Sequence, residues 1–578
     1  MSQSPFLDRR EHDSAPGAVF VALCLVLPML IVVANFAIGA RAPITAFFKD
    51  DISLIDPVWR LVEGHQLGID YHDPRGFGFF YLAALLWRWF GPHYYVLRAA
   101  ADVFSLVIVA CAFLVAQYRL RRSVLLSMLF CITVAVEASA PSVYGTTRDF
   151  GMALVYDRLI MAGLLVLFVQ SFARGWDTRA RHGALYLFAI ALVLNALFLI
   201  KISGLFAGIA ILAAGELVVS RPLARRMIDA LVVAGFLGAM IVADFVVTGT
   251  KLAPVITEYR LAAQAQSGTY SLHDAISFAL QWPVLLAVLL LIVYALWKPG
   301  KATRLTWRQW GFIIGCFWAC QILLNMSNHG ASGALLFLAP GAVFAVVTFV
   351  DTPEMVKSWE HWRSWIDATS ARSGLSFARA LLPLLILGIV LAHEGIPSLA
   401  GLRLDYRIAS GKIEPVRVAA QGGIVLETLM KDPDDIGEIE ALNDGIRAIE
   451  RIGVGRQVIA NLDFANPFPP LFLSPPPRGG WAYWHFGNDL PQGYKLQPSQ
   501  VIGDACIVAQ PKRPVWGGDF QAPLLAVAKP RLETGFMAIY EDALWKIWRK
   551  TEGCASRAGT SQALQSAPPG STPASAAN

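Results

Sequence analysis

The chain has little charge. Lys, Arg, Asp and Glu make up only 16% of its 578 residues, against about 25% in soluble globular chains. With a mean hydropathy of +0.51, that shortfall excludes an ordinary soluble fold. No Lys/Arg-rich tract stands out as a nucleic-acid footprint, so the net charge of +6 implies no nucleic-acid partner. A P-loop is missing, as is a convincing G-x-G-x-x-G, which argues against an ATP-driven pump. Cysteine is scarce, at seven residues. Cys24, Cys111, Cys131, Cys316 and Cys320 sit in or beside apolar runs, where cysteine packs as a small hydrophobe. Cys316 and Cys320 share a helical face, but no His or carboxylate lies near enough in sequence to complete a metal site. Cys506 and Cys554 remain, and they can pair if their segment lies outside the cytoplasm.

Long apolar runs are what the chain has in abundance. Residues 18–40 carry no charge, and a membrane helix needs about 20 such residues. The run exceeds the roughly 7–15-residue core of a signal peptide, and many similar runs follow, so it reads as an uncleaved first span. Further spans are expected at 95–117, 123–138, 158–173, 183–200, 203–219, 228–248, 281–297, 310–326, 332–350 and 380–393. The run 77–90 is short and ends in Arg88 and Trp89. It is expected to be a juxtamembrane or re-entrant helix.

Loop charge gives these spans a direction, because cytoplasmic loops collect Lys and Arg. Basic clusters occur at Arg119, Arg121 and Arg122, at Arg221, Arg225 and Arg226, and at Lys298, Lys301, Arg304 and Arg308, among others. The alternate loops, 139–157, 249–280 and 327–331, carry few cations. The expected order is a cytoplasmic N-terminus (1–17), a membrane domain (18–393) with an external loop at 41–94, a soluble domain (394–554) on the external side, and a disordered Ala/Ser/Pro tail (555–578). In a bacterial inner membrane that external side is the periplasm.

Polar groups at membrane level are costly and tend to mark function. Here they gather on the external side. The first loop holds the adjacent carboxylates Asp50 and Asp51, then Asp56, Glu63, Asp70 and Asp73, with Arg60, Arg75, His65, Tyr71 and His72 among them. A carboxylate pair suits a general base or a divalent cation, or simply a solvated loop. The second external loop brings Arg148–Asp149 and Asp157–Arg158. Such pairs can hold a phosphate and a sugar hydroxyl, or can be structural ion pairs between helices. Lys201, between two spans, can bind a lipid phosphate or merely snorkel. Glu258, Tyr259 and Arg260 read as loop polarity, and Asp244 near the external end of its span can face the same cavity.

After the membrane domain, residues 434–452 place Ile436, Ile439, Leu442, Ile446 and Ile449 on one helical stripe, with Gly453 to cap it. Residues 457–464 then read as a strand, so a small α/β domain is expected. The Pro- and aromatic-rich stretch that follows contains Asp463, Arg478, Trp481, Trp484, His485 and Asn488. It suits either a carbohydrate or an ordinary loop docked onto the membrane domain. Residues 543–550, rich in Trp and Lys, read as an interfacial helix.

The first loop as a whole resembles that of the GT-C superfamily of membrane glycosyltransferases, which includes protein O-mannosyltransferases and transferases that decorate lipid A and lipopolysaccharide. The resemblance lies in the acidic pair after the first span, a helix-like segment, the Gly68–Tyr71 stretch "GIDY", an aromatic run ending "WFG", and Arg98 opening the next span. It covers roughly residues 15–250. It implies a polytopic α-helical fold of about 11–13 transmembrane helices with the α/β domain outside. It also implies inverting transfer of a sugar from a polyprenyl-phosphate donor to an envelope glycan, lipid or protein. Asp50 would then be the catalytic base. Asp51 would assist or bind a divalent cation such as Mg or Mn. Arg75, Arg148, Asp149, Asp157, Arg158 and Lys201 would meet the donor phosphate or sugar, and Tyr71, His72, Trp481, Trp484 and His485 the acceptor. Two departures stand out: the family's Asp-Glu pair is Asp-Asp here, and its "PPL" is replaced by Asp73–Pro74–Arg75–Gly76. A transporter or flippase of a lipid-linked glycan would show internal repeats and polar groups at mid-membrane depth, and neither is evident. A non-catalytic envelope assembly protein is the other alternative.

Overall fold

The computed structural model describes residues 18–39, 48–116, 152–173, 183–218, 222–269, 414–428, 433–487, 489–516 and 520–554, with isolated positions between them. The spans expected at 281–297, 310–326, 332–350 and 380–393, most of 123–138, the N-terminus and the tail lie outside the described residues.

The first half is helical. In chain order it comprises α1 (Ala18–Gly39), α2 (Phe48–Val62), α3 (Phe77–Phe90), α4 (Val96–Ala116), the two-residue strands β1 (Ala140–Pro141) and β2 (Arg148–Asp149), α5 (Met152–Ala173), α6 (Gly183–Ile200), α7 (Ile202–Val218), α8 (Leu223–Thr248) and α9 (Leu252–Thr269). Among the described residues, α4, α6 and α8 are long and apolar enough to cross a membrane. α3, with 14 residues, reaches only about 21 Å, short of the roughly 30 Å hydrocarbon core. Its face is buried instead, through Phe77, Phe79, Phe80, Ala83 and Trp87. α4, α5, α6 and α7 pack on one another, and α2 lies against α3 and α5. α9 falls within the stretch expected as an external loop.

Glycine decides one close approach. A Cβ on Gly76 would run into the carbonyl of Ile200, the last residue of α6. The loop that carries Asp73 and Arg75 is thereby pressed onto the turn that holds Lys201.

The C-terminal unit mixes helices and strands. β3 (Val416–Ala419) and β4 (Val425–Thr428) form an antiparallel hairpin, and α10 (Pro433–Arg451) follows. β5 (Ile459–Asn461), α11 (Phe468–Phe472), α12 (Pro498–Val501), β6 (Ile507–Pro511), α13 (Gln521–Gly535), β7 (Phe536–Glu541) and β8 (Trp545–Lys550) complete it. The sheet order is β5-β6-β8-β7, with β5 parallel to β6 and the other pairs antiparallel. α10 matches the expected helix, with Ile439, Leu442, Ile446 and Ile449 buried, although Ile436 is exposed. Gly453 takes the left-handed conformation that ends it, at φ 67°. The interfacial helix expected at 543–550 is instead strand β8. Trp545 and Ile547 alternate inward, and the Trp545 indole donates to the Ala441 carbonyl of α10 at 2.9 Å. Cys506 and Cys554 form a disulfide.

The two halves meet through the segment between α2 and α3 and through α2 itself. His72 donates its backbone N–H to the Gly480 carbonyl at 2.9 Å and accepts from Ala482 at 3.0 Å. The Trp59 indole donates to the Ser474 carbonyl at 2.7 Å. Arg60, paired with Asp56 at 2.7 Å, donates to the Pro477 carbonyl at 2.6 Å. The Trp59, Arg60 and Asp56 side chains are buried, while His72 is partly exposed. Gly480, at φ 80°, has no room for a Cβ beside the Gln500 carbonyl. The aromatic stretch therefore docks onto the loop, one of the two roles expected for it.

Replacing Gly76 by Val should destabilise the protein by about 1–3 kcal/mol, as overpacking does. Thermal unfolding in detergent checks this, and a variant melting with the wild type would contradict the contact with Ile200.

Candidate active site

The first turn of α2 supplies Asp50 and Asp51 side by side in sequence, but a helix turns consecutive residues about 100° apart. The two carboxylates therefore differ in setting. Asp51 is fully buried, and the Tyr94 hydroxyl donates to its Oδ2 at 2.6 Å. Asp50 is half-buried. Burial pushes its carboxyl above the ordinary range, while the charges of Lys49 and Arg75 pull it back down. A carboxylate made more basic yet kept beside cations suits a general base.

Arg75 reaches α2 because of a proline. Pro57 lies inside the helix and has no N–H to give the carbonyl four residues back, which is that of Ser53. Arg75 Nη2 takes that carbonyl at 2.7 Å, and Nη1 donates to the Ser53 hydroxyl at 2.8 Å. The same hydroxyl donates to the Asp50 carbonyl at 2.6 Å. On its other side the guanidinium meets Asp73 through Nε at 2.9 Å and Nη2 at 2.6 Å. The Tyr483 ring covers it, with the guanidinium carbon 4.0 Å from the ring centre.

Two further carboxylates and one lysine belong to this neighbourhood. Glu258 of α9, buried, sets Oε1 2.8 Å from His72 Nδ1, and its Oε2 accepts from the Asp73 backbone N–H at 3.3 Å. Burial lifts its carboxyl to about 7, against the opposing effect of the His72 contact. Asp489, also buried, is raised to about 6 by burial. It shares a hydrogen bond with the Tyr483 hydroxyl and feels the charges of Arg75, Asp73 and Lys201. Lys201 closes the α6–α7 turn, its N–H donating to the Leu197 carbonyl at 2.8 Å.

Of the residues expected to act, the structure thus brings together Asp50, Arg75, His72 and Lys201, with His485 at the edge, its Nδ1 3.8 Å from Asp489 Oδ2. Tyr71 is fully buried below Arg60, Trp484 belongs to the second apolar core, and Trp481 is buried with its ring 5.5 Å from that of His72. Arg158 is buried in α5, which packs on α2. Arg148 and Asp149 form β2 opposite Ala140 and Pro141. Their side chains, the Asp157 side chain and Asn488 lie outside the described residues. Among the described residues, no three His, Cys, Asp or Glu side chains gather as a metal-binding set. The Tyr94 hydroxyl donates to Asp51 Oδ2, one of the two oxygens expected to meet a cation. Tyr483 and Asp489 are not singled out from sequence; Glu258 reads mainly as loop polarity, and Asp73 stands among the acidic residues of the first loop.

No family model and no curated protein matches the chain. Among solved structures it is similar to ArnT from Cupriavidus metallidurans in the apo state, at 11% identity and TM-score 0.45, over 92% of this chain and 97% of that one. It is also similar to ArnT from the same organism bound to undecaprenyl phosphate, at 10% identity and TM-score 0.47, over 93% and 99%. Likenesses at this level assign no role to any residue here, so the roles below come from the side chains.

Glu258 gives a pH test. Its folded value of about 7 lies above the ordinary 4.5. The folded chain therefore holds a proton that the unfolded chain releases, and stability falls as pH rises through that window. Glu258→Gln cannot ionise, so its melting temperature should gain on the wild type between pH 5 and pH 8. A constant difference across that range would contradict the shift.

Proposed function

We propose that the chain is an inverting glycosyltransferase that moves a sugar from a polyprenyl-phosphate donor to an envelope glycan, lipid or protein. The observation that carries this reading is the placement of Asp50, a carboxyl made basic by burial, beside Arg75 and the Lys201 turn at one end of the helical bundle. Direct displacement needs a base for the acceptor hydroxyl and cations for the departing phosphate, and it needs nothing from a nucleotide. Asp50 takes the proton as the acceptor oxygen bonds to the anomeric carbon. The bond from that carbon to the phosphate oxygen breaks, and Arg75 and Lys201 receive the phosphate dianion. A single displacement inverts the anomeric centre.

Arg148, Asp149, Asp157 and Arg158 are proposed as further donor contacts, and His72 and His485 as acceptor contacts. The resemblance of the first loop to GT-C transferases supports the same class. The Cys506–Cys554 disulfide supports an oxidising, periplasmic side for the C-terminal unit, because such bonds persist outside the reducing cytosol. The basic loops support a membrane location with a cytoplasmic N-terminus, which is an inner membrane if the C-terminal unit is periplasmic.

Asp50→Asn tests the base. Purified protein supplied with polyprenyl-phosphate sugars and candidate acceptors should lose roughly 100- to 10,000-fold in transfer rate, with donor affinity nearly unchanged. Transfer at the wild-type rate would remove Asp50 from the chemistry.

A further inference from the structure

We propose that Asp489, carried by the C-terminal unit, binds the sugar of the lipid-linked donor, its Oδ2 accepting a hydrogen bond from a ring hydroxyl. This inference rests on the transferase reading above and extends it to the residue that recognises the sugar.

The geometry starts with an orphaned oxygen. Asp489 is 6% exposed, and its Oδ2 is buried with no hydrogen-bond partner among the described residues. His485 Nδ1 stands 3.8 Å away, beyond hydrogen-bonding reach. A buried polar atom left unmatched costs on the order of 1–3 kcal/mol, and such atoms in native proteins call for an explanation such as an absent ligand. Asp489 is also tied to the site. The hydroxyl of Tyr483 hydrogen-bonds to it, while the Tyr483 ring lies on the Arg75 guanidinium. Asp489 feels the charges of both Arg75 and Lys201.

Those cations define which part of the donor Asp489 meets. A phosphate placed between Arg75 and Lys201 would be repelled by a carboxylate, so Asp489 does not contact the phosphate. The sugar is bonded directly to that phosphate, one atom from it, and its hydroxyls are the donors that a lone carboxylate oxygen lacks.

The test compares two lipids on one protein: undecaprenyl phosphate, and undecaprenyl phosphate bearing a neutral hexose. D489N should bind the bare lipid within twofold of wild type and the sugar-bearing lipid at least tenfold more weakly. D489E, which moves the charge by one methylene, should show the same selectivity with a smaller loss. Hexose donors each lacking one ring hydroxyl should show the contact directly. One of them should bind wild type several-fold more weakly than the full hexose yet bind D489N no worse. Equal weakening of both lipids by both variants, or no weakening of either, would overturn the proposal, as would a wild type indifferent to every deoxy position. A wild type that binds neither lipid would instead overturn the transferase reading, and this inference with it.

Discussion

Arg75 joins the three parts of the molecule that make the site. Its guanidinium is held by Asp73 within its own loop, by Ser53 on α2 and under the ring of Tyr483 from the C-terminal unit. The contact with α2 exists because Pro57 cannot donate to the Ser53 carbonyl. An alanine there would let the helix reclaim that carbonyl, and Arg75 would lose one of its three anchors. A planar five-donor cation is suited to this work, since a lysine could not reach Asp73 and Ser53 together. The position of Asp50 follows, because the Ser53 hydroxyl that Arg75 contacts also closes the first turn of α2 onto the Asp50 carbonyl.

The docking of the C-terminal unit uses backbone carbonyls as its acceptors. Ser474, Pro477 and Gly480 offer theirs to Trp59, Arg60 and His72. These bonds are directional, which fixes where Tyr483 and Asp489 fall more tightly than apolar contact alone would. The buried Asp56–Arg60 pair serves the same end. Such pairs add little net stability, but removing one partner typically costs about 3–5 kcal/mol, so the pair resists sequence change.

Much of this was legible in the sequence, and the limits have physical causes. The stripe of α10 and the glycine that ends it could be read because helical periodicity is local. The strand β8 was misread as a helix because a short Trp/Lys-rich segment fits both periods, and only the inward alternation of Trp545 and Ile547 distinguishes them. Asp50, Arg75 and Lys201 stood out in the sequence because charge near a membrane is conspicuous. Glu258 was read as loop polarity because its partner His72 lies 186 residues away. Asp489 escaped notice because a single carboxylate in a Pro-rich stretch carries no pattern. Its meaning depends on Tyr483, whose ring and hydroxyl face two different partners.

The docking bonds also set an order of events during synthesis. The Trp59–Ser474 and Arg60–Pro477 contacts join residues 415 and 417 positions apart. Everything between them must be made before either can form. Until then Arg75 has no cover, Asp489 is absent, and the loop around Asp50 stands open to water. A chain stalled or cut short before residue 474 would therefore carry its acidic pair without a competent site. Activity would arrive only once the far end of the polypeptide has come together with the segment that carries Trp59 and Arg60.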